Sequence, residues 1–181
     1  VLLVADMVAQ DCYLPVIQRA VAAGIVAKDA VREPPLVHLA GGLSSAIWVR
    51  GSRPTDGRDY VLGTATLPIP VVEVPRDRAS QPWELLSVAH EVAHDFEADL
   101  MLRGELQSSL KAALTARGTP ELRVVDWLRW QAEVFADLVA LQLVGLGYVD
   151  ALLSLAAMQP DRGDARDPDD PHPPARVRVP L

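Results

Sequence analysis

Apolar positions recur at helical spacing over most of the chain and give way to short strand-like runs only between residues 36 and 76. Residues 5–32 read as helical, with Pro15 kinking or dividing the stretch and Gly24 ending its main helix. Pro34-Pro35 stops any helix. Strand-like runs follow at Leu36–Leu39, Ala46–Arg50, Tyr60–Gly63 and Ile69–Val74. The segment Gly51–Gly57 is dense in turn formers and separates two of them, as in a hairpin. Pro68, Pro70 and Pro75 surround the last run, which predicts an edge strand.

The second half is helical. A helix starts near Ser80-Gln81-Pro82, with Ser80 as cap and Pro82 in the first turn. Leu85, Leu86, Ala89, Val92, Ala93 and Phe96 form its apolar side, and Trp83 is expected to pack against its start. Residues 105–117 form another helix that closes at Gly118. Thr119-Pro120-Glu121 then gives a cap, a proline and an acid in the order that opens a helix, which runs to about Gly145. Residues 138–158 are almost wholly apolar and about the length of a membrane span. Gln142, Gly145, Gly147 and Asp150 interrupt them, and Glu133 and Asp137 lie just upstream, so the stretch reads as a buried core helix. Residues 160–181 are rich in Pro, Asp and Arg and carry no helical period.

These elements predict an α+β fold in which a small, mostly antiparallel sheet packs on the helices. The chain of 181 residues is long enough to bury a core and is expected to form a single domain. Its parts are an N-terminal helical region (1–34), the sheet (36–76), the main helices (80–158) and a proline-rich tail (160–181). The formal charge of -7 argues against a nucleic-acid partner. A single cysteine, Cys12, excludes an internal disulfide and points to a reducing, cytoplasmic setting. The sequence begins at Val1 rather than Met, so fusion to a missing N-terminal region is expected.

Two short patterns carry the chemistry. His90-Glu91-Val92-Ala93-His94 is H-E-x-x-H, which on a helix sets two imidazoles on one face. Both can grip one metal ion, while Glu91 sits one residue round and can act on a water. Catalytic zinc needs three protein ligands and an open position. Glu133, 39 residues after His94 and on a separate helix, is the natural third ligand. Asp137 lies four residues further, on the same face, where it can accept the second N–H of His90. The competing reading takes Glu133 and Asp137 as solvent-facing helix charges, but they sit among Trp127, Trp130, Phe135 and Leu138. Asp95, Glu97 and Asp99 read as a solvated helix face, His38 as a core or surface histidine, and Cys12 as a small core residue.

H-E-x-x-H followed by E-x-x-A-D resembles the gluzincin metallopeptidases, over roughly residues 66–145. His172-Pro173-Pro174-Ala175-Arg176-Val177-Arg178 is similar to the H-P-P-x-x-x-R segment of the CAAX-prenyl-protease and heat-shock membrane endopeptidase family. The resemblance implies a zincin-like fold, with one Zn2+ held by His90, His94 and Glu133. It implies Glu91 as general base, His172 as oxyanion stabiliser and Arg178 as a brace behind the ligands, with Arg176 the substitute if the register shifts. It also implies a peptide or protein substrate laid along a sheet edge, for which Ile69–Val74 is the candidate. That family has transmembrane helices and usually continues past the arginine. This chain has no convincing membrane segment and ends at Leu181, as a soluble, minimal relative would. The alternative is a non-catalytic zinc-binding interaction or sensor domain, against which an intact Glu91 speaks.

Overall fold

The computed structural model describes residues 1–41, 45–52, 66–158 and 170–178. Helix α1 (Leu2–Ala22) runs unbroken through Pro15 and buries Ala5, Ala9, Cys12, Tyr13, Ile17 and Ala20, a stripe at helical spacing. It ends at Gly24, whose φ of +71° turns the chain so that the Ile25 N–H reaches Ala20 O and the Gly24 N–H reaches Val21 O.

Strands β1 (Leu36–Ala40), β2 (Ala46–Trp48) and β3 (Val71–Pro75) form a mixed sheet in the order β1-β3-β2. β1 runs parallel to β3 with Leu36 opposite Val71, and β2 runs antiparallel to it with Ile47 opposite Val72. The expected edge strand is therefore the central one. Its prolines explain how: Pro70 precedes the strand and Pro75 is its last residue, so Val71–Val74 keep their N–H groups for the ladder. Val72 and Val74 are buried. The outer edge of β1 is covered, since Asp6 on α1 accepts the Val37 N–H at 2.8 Å. Among the described residues β2 pairs only with β3, which leaves its outer edge as the unpaired one. The Tyr60–Gly63 run, most of the Gly51–Gly57 turn and most of the 160–181 tail lie outside the described residues.

A 3-10 turn, Pro82–Leu86, leads directly into α2 (Ser87–Asp99), so no free helix end remains for Ser80 to cap. The Ser80 hydroxyl bonds Asp77 O instead, and Trp83 is 53% exposed rather than packed. α2 is the centre of the molecule. Val88, Ala89, Val92, Ala93 and Phe96 have at most 1% exposure, and Tyr13 stacks on Phe96 with ring centroids 5.3 Å apart. Full burial of a valine or phenylalanine contributes roughly 1.5–3 kcal/mol each. α3 (Arg103–Ala116) closes at Gly118, and α4 (Glu121–Val144) follows with Pro120 at its cap position. Ala136 and Ala140 on α4 share the core with Ala89 and Ala93 on α2, and these small side chains let the two helices approach closely.

Gly145, at φ +66°, ends α4, and α5 (Gly147–Met158) folds back against the turn before α2. Residues 138–158 are thus two helices rather than one buried helix, and Leu138, Leu146 and Leu153 are exposed. Among the described residues no helix is long and apolar enough to cross a membrane. A last short helix, α6 (Ala175–Arg178), lies in the described part of the tail.

Candidate metal centre

One helical turn separates His90 from His94 on α2, and their Nε2 atoms meet 3.2 Å apart. α4 brings Glu133 to the same point. Its Oε2 lies 3.3 Å from His90 Nε2 and its Oε1 lies 3.5 Å from His94 Nε2. Tetrahedral zinc with bonds of about 2.0–2.1 Å spaces its ligands about 3.3 Å apart, so the triangle has the right size. The donor set also fits. Two imidazole nitrogens face each other across the Glu133 carboxylate, whose buried Oε2 makes no hydrogen bond. A buried carboxylate oxygen left unpaired is costly unless a cation completes it. Among the described residues this is the one group of three or more His, Cys, Asp or Glu placed to share a metal ion, its donor atoms all within 4.8 Å of one another.

Behind the ligands is a polar layer. Asp137 Oδ1 lies 2.9 Å from His90 Nδ1. Arg178 grips Asp137 with two N–H groups, Nε to Oδ2 at 2.9 Å and Nη2 to Oδ1 at 2.6 Å. Tyr148 on α5 donates its O–H to Asp137 Oδ1, and its oxygen is 2.9 Å from His90 Nδ1. Burial alone would push His90 down, but its contact with Asp137, its ion pair with Glu133 and the nearby Glu91 raise it to about 9. Burial, with the His90 charge adding, lowers His94 to about 4. Burial opposes ionisation of Glu133, yet the close pairing with His90 and the charges of His172 and His94 hold it at about 2. For Asp137 the bonds to His90 and Arg178 outweigh burial and keep the carboxyl well below the usual range.

Glu91 is buried on α2. Burial first, and the Glu133 charge in addition, push its carboxyl up to about 7, against His90 and Arg178. His172 comes from the tail. Its Nε2 is 3.4 Å from Glu133 Oε2, while its Nδ1 donates to Asp170 Oδ1 at 2.8 Å. The His172 side chain is 46% exposed and stands beside the three-donor group rather than in it. The Arg176 side chain lies outside the described residues.

The charged triplet after the motif is not a solvated face. Asp95 and Glu97 are 0% and 2% exposed, because α2 is enclosed by α1, α4 and the sheet. Glu97 accepts Gln131 Nε2 at 2.8 Å and Arg103 Nη2 at 2.9 Å, and Asp99 accepts the Tyr13 hydroxyl at 2.6 Å. The residue that sequence reasoning missed is Tyr148. Its one signal was a phenol just past the Gly145–Gly147 break, where a chain reversal could turn it inward.

His90, Glu91 and His94 with Glu133 form the H-E-x-x-H plus third-ligand arrangement of a zinc-dependent metallopeptidase, sized for a single zinc ion. Compared with protein-family models, curated proteins and solved structures, the chain matches none.

Proposed function

We propose that this chain hydrolyses peptide bonds, with Glu91 as general base and a C-terminal strap completing the site. The observation that carries this reading is the triangle of His90, His94 and Glu133, whose buried Glu133 Oε2 makes no hydrogen bond. Zinc held there supplies a Lewis acid that acidifies water and polarises a carbonyl. Glu91 takes the proton of the attacking water and returns it to the leaving amine.

Among the described residues one strand edge is open to an extended substrate. The outer edge of β1 is covered, and β2 lies beside the start of α2, where the Ser45 and Ser87 hydroxyls are 3.0 Å apart. We assign the substrate to the outer edge of β2, where main-chain bonds would hold it across the motif helix. The order of H-E-x-x-H, E-x-x-A-D and H-P-P-x-x-x-R supports a relative of the CAAX-prenyl-protease and heat-shock membrane endopeptidase family. Arg178 braces Asp137, and through it the ligand His90.

His172 is assigned to the oxyanion. With Nδ1 committed to Asp170, its Nε2 donates only when the ring carries both protons. Loss of one oxyanion donor costs on the order of 10²–10³ in turnover. His172→Ala is therefore expected to lower kcat by roughly a hundredfold with zinc content unchanged. Single-turnover cleavage alongside metal analysis measures both, and full speed would reduce the strap to a surface segment.

The reading as a whole is tested by metal analysis and a cleavage screen on unstructured polypeptides. The expected result is one zinc per chain, activity lost to a chelator and restored by stoichiometric zinc. A fully loaded protein that cleaves nothing would leave a zinc-binding interaction or sensor domain.

A further inference from the structure

We infer that Tyr148 is a positioning residue that fixes the tautomer and orientation of the metal ligand His90. The inference rests on the zinc site read above and adds to it a group outside the two sequence motifs.

The hydrogens can be counted. Arg178 places two N–H groups on Asp137, so that carboxylate is an ionised acceptor. Tyr148 has one hydroxyl hydrogen and gives it to Asp137 Oδ1. Its oxygen is then a lone pair facing His90 Nδ1 at 2.9 Å, and Asp137 Oδ1 faces the same nitrogen at 2.9 Å. A nitrogen between two acceptors must carry the hydrogen. In the neutral ring this leaves Nε2 as a bare lone pair. Nε2 is the atom that points at His94 and Glu133. A ring anchored to Asp137 alone could still tilt about that single bond. Tyr148 removes this freedom, because its ring also stacks on His90 with centroids 6.0 Å apart and planes 12° apart.

The fold delivers the phenol through the reversal that sequence reading passed over. Gly145 turns the chain at φ +66°, and α5 starts at Gly147, against the turn before α2. A Cβ at Gly147 would stand 2.7 Å from Leu86 Cδ1, so Leu86 would have to swing away for any other residue. Tyr148 is the next residue and is only 4% exposed. The approach of α5 and the placement of the hydroxyl are thus set together.

Tyr148→Phe keeps the ring stack and deletes the oxygen. Zinc affinity, read by competition with a chromophoric chelator, should fall about tenfold, at the lower end of the range for groups behind a metal ligand. The metal-free variant should melt near the wild-type temperature. Tyr148→Phe combined with Asp137→Asn should cost less than the product of the two single losses, because both act on one Nδ1 hydrogen. A purely structural role predicts unchanged zinc affinity in Tyr148→Phe, and that result would overturn the inference. Should the variant fold poorly, nitrogen-15 NMR of the zinc-loaded wild type decides. The expected signature is a slowly exchanging His90 Nδ1 proton close to the Tyr148 hydroxyl, and a freely exchanging Nδ1 proton refutes it. Failure of the wild type itself to bind zinc would sink the metal site, which is a separate and distinguishable outcome.

Discussion

Glu91→Gln should give a folded, zinc-loaded protein whose turnover is lower by roughly 10²–10⁴-fold, the usual contribution of a positioned acid–base group. The amide matches the carboxylate in shape but cannot accept the proton of the attacking water. Zinc should remain at one equivalent, because the ligands are His90, His94 and Glu133. A stability readout accompanies the rate. Burial raises Glu91 from its ordinary 4.5 to about 7. The folded state then holds a proton that the unfolded chain releases, so stability falls as pH rises from about 4.5 to about 7. Glutamine removes that charge, and metal-free Glu91→Gln should melt at or above the wild-type temperature at pH 8. Cleavage at the wild-type rate would mean that another group is the base.

The legible parts of this site obey local spacing. His90 and His94 differ by four residues, as do Glu133 and Asp137, and each pair needs only one helix to share a face. The meeting of the two helices was readable because small alanines flank both motifs and the acids sit among tryptophans. The illegible parts depend on contacts between distant segments. Strand order in the sheet was misjudged because prolines near a run suggest an edge, whereas here they fall at the strand's ends and leave its ladder intact. Asp95, Glu97 and Asp99 looked solvated because adjacent charges usually are. Their burial follows from the enclosure of α2, and the partners Gln131, Arg103 and Tyr13 come from three other segments. Tyr148 was hidden for the same reason, since its partners lie 58 and 11 residues away and meet it only after the turn at Gly145. For the tail the sequence offers a resemblance alone, because no period or spacing within residues 160–181 points toward the ligands.

Zinc affinity should rise with pH up to about 9, and His94→Ala should lose the metal at every pH. The two halves follow from how differently the histidines are held. His94 is lowered to about 4 by burial and by the His90 charge, so its lone pair is free throughout the working range. His90 is raised to about 9, because Asp137, Glu133 and Glu91 outweigh burial, so in the metal-free protein at neutral pH it is a cation beside carboxylates. Zinc must expel that proton. Affinity should therefore gain about tenfold per pH unit from neutrality and level off above about 9, with about one proton released per zinc. Calorimetry in two buffers of different ionisation heat counts the proton. The stability of the metal-free fold moves the other way. A histidine raised from 6.5 to about 9 contributes stability that is fully present below 6.5 and is lost as pH rises through about 9. The gain in Tm on adding zinc should accordingly widen across that window. His94→Ala leaves only His90 and Glu133 from the triangle, and its loss should exceed the roughly hundredfold upper range for groups behind a ligand. The variant should show no zinc-dependent Tm gain and no hydrolysis. Wild-type affinity in His94→Ala would mean that the ion is held elsewhere, and an affinity flat from pH 7 to 9 would mean that His90 holds no extra proton there in the metal-free protein.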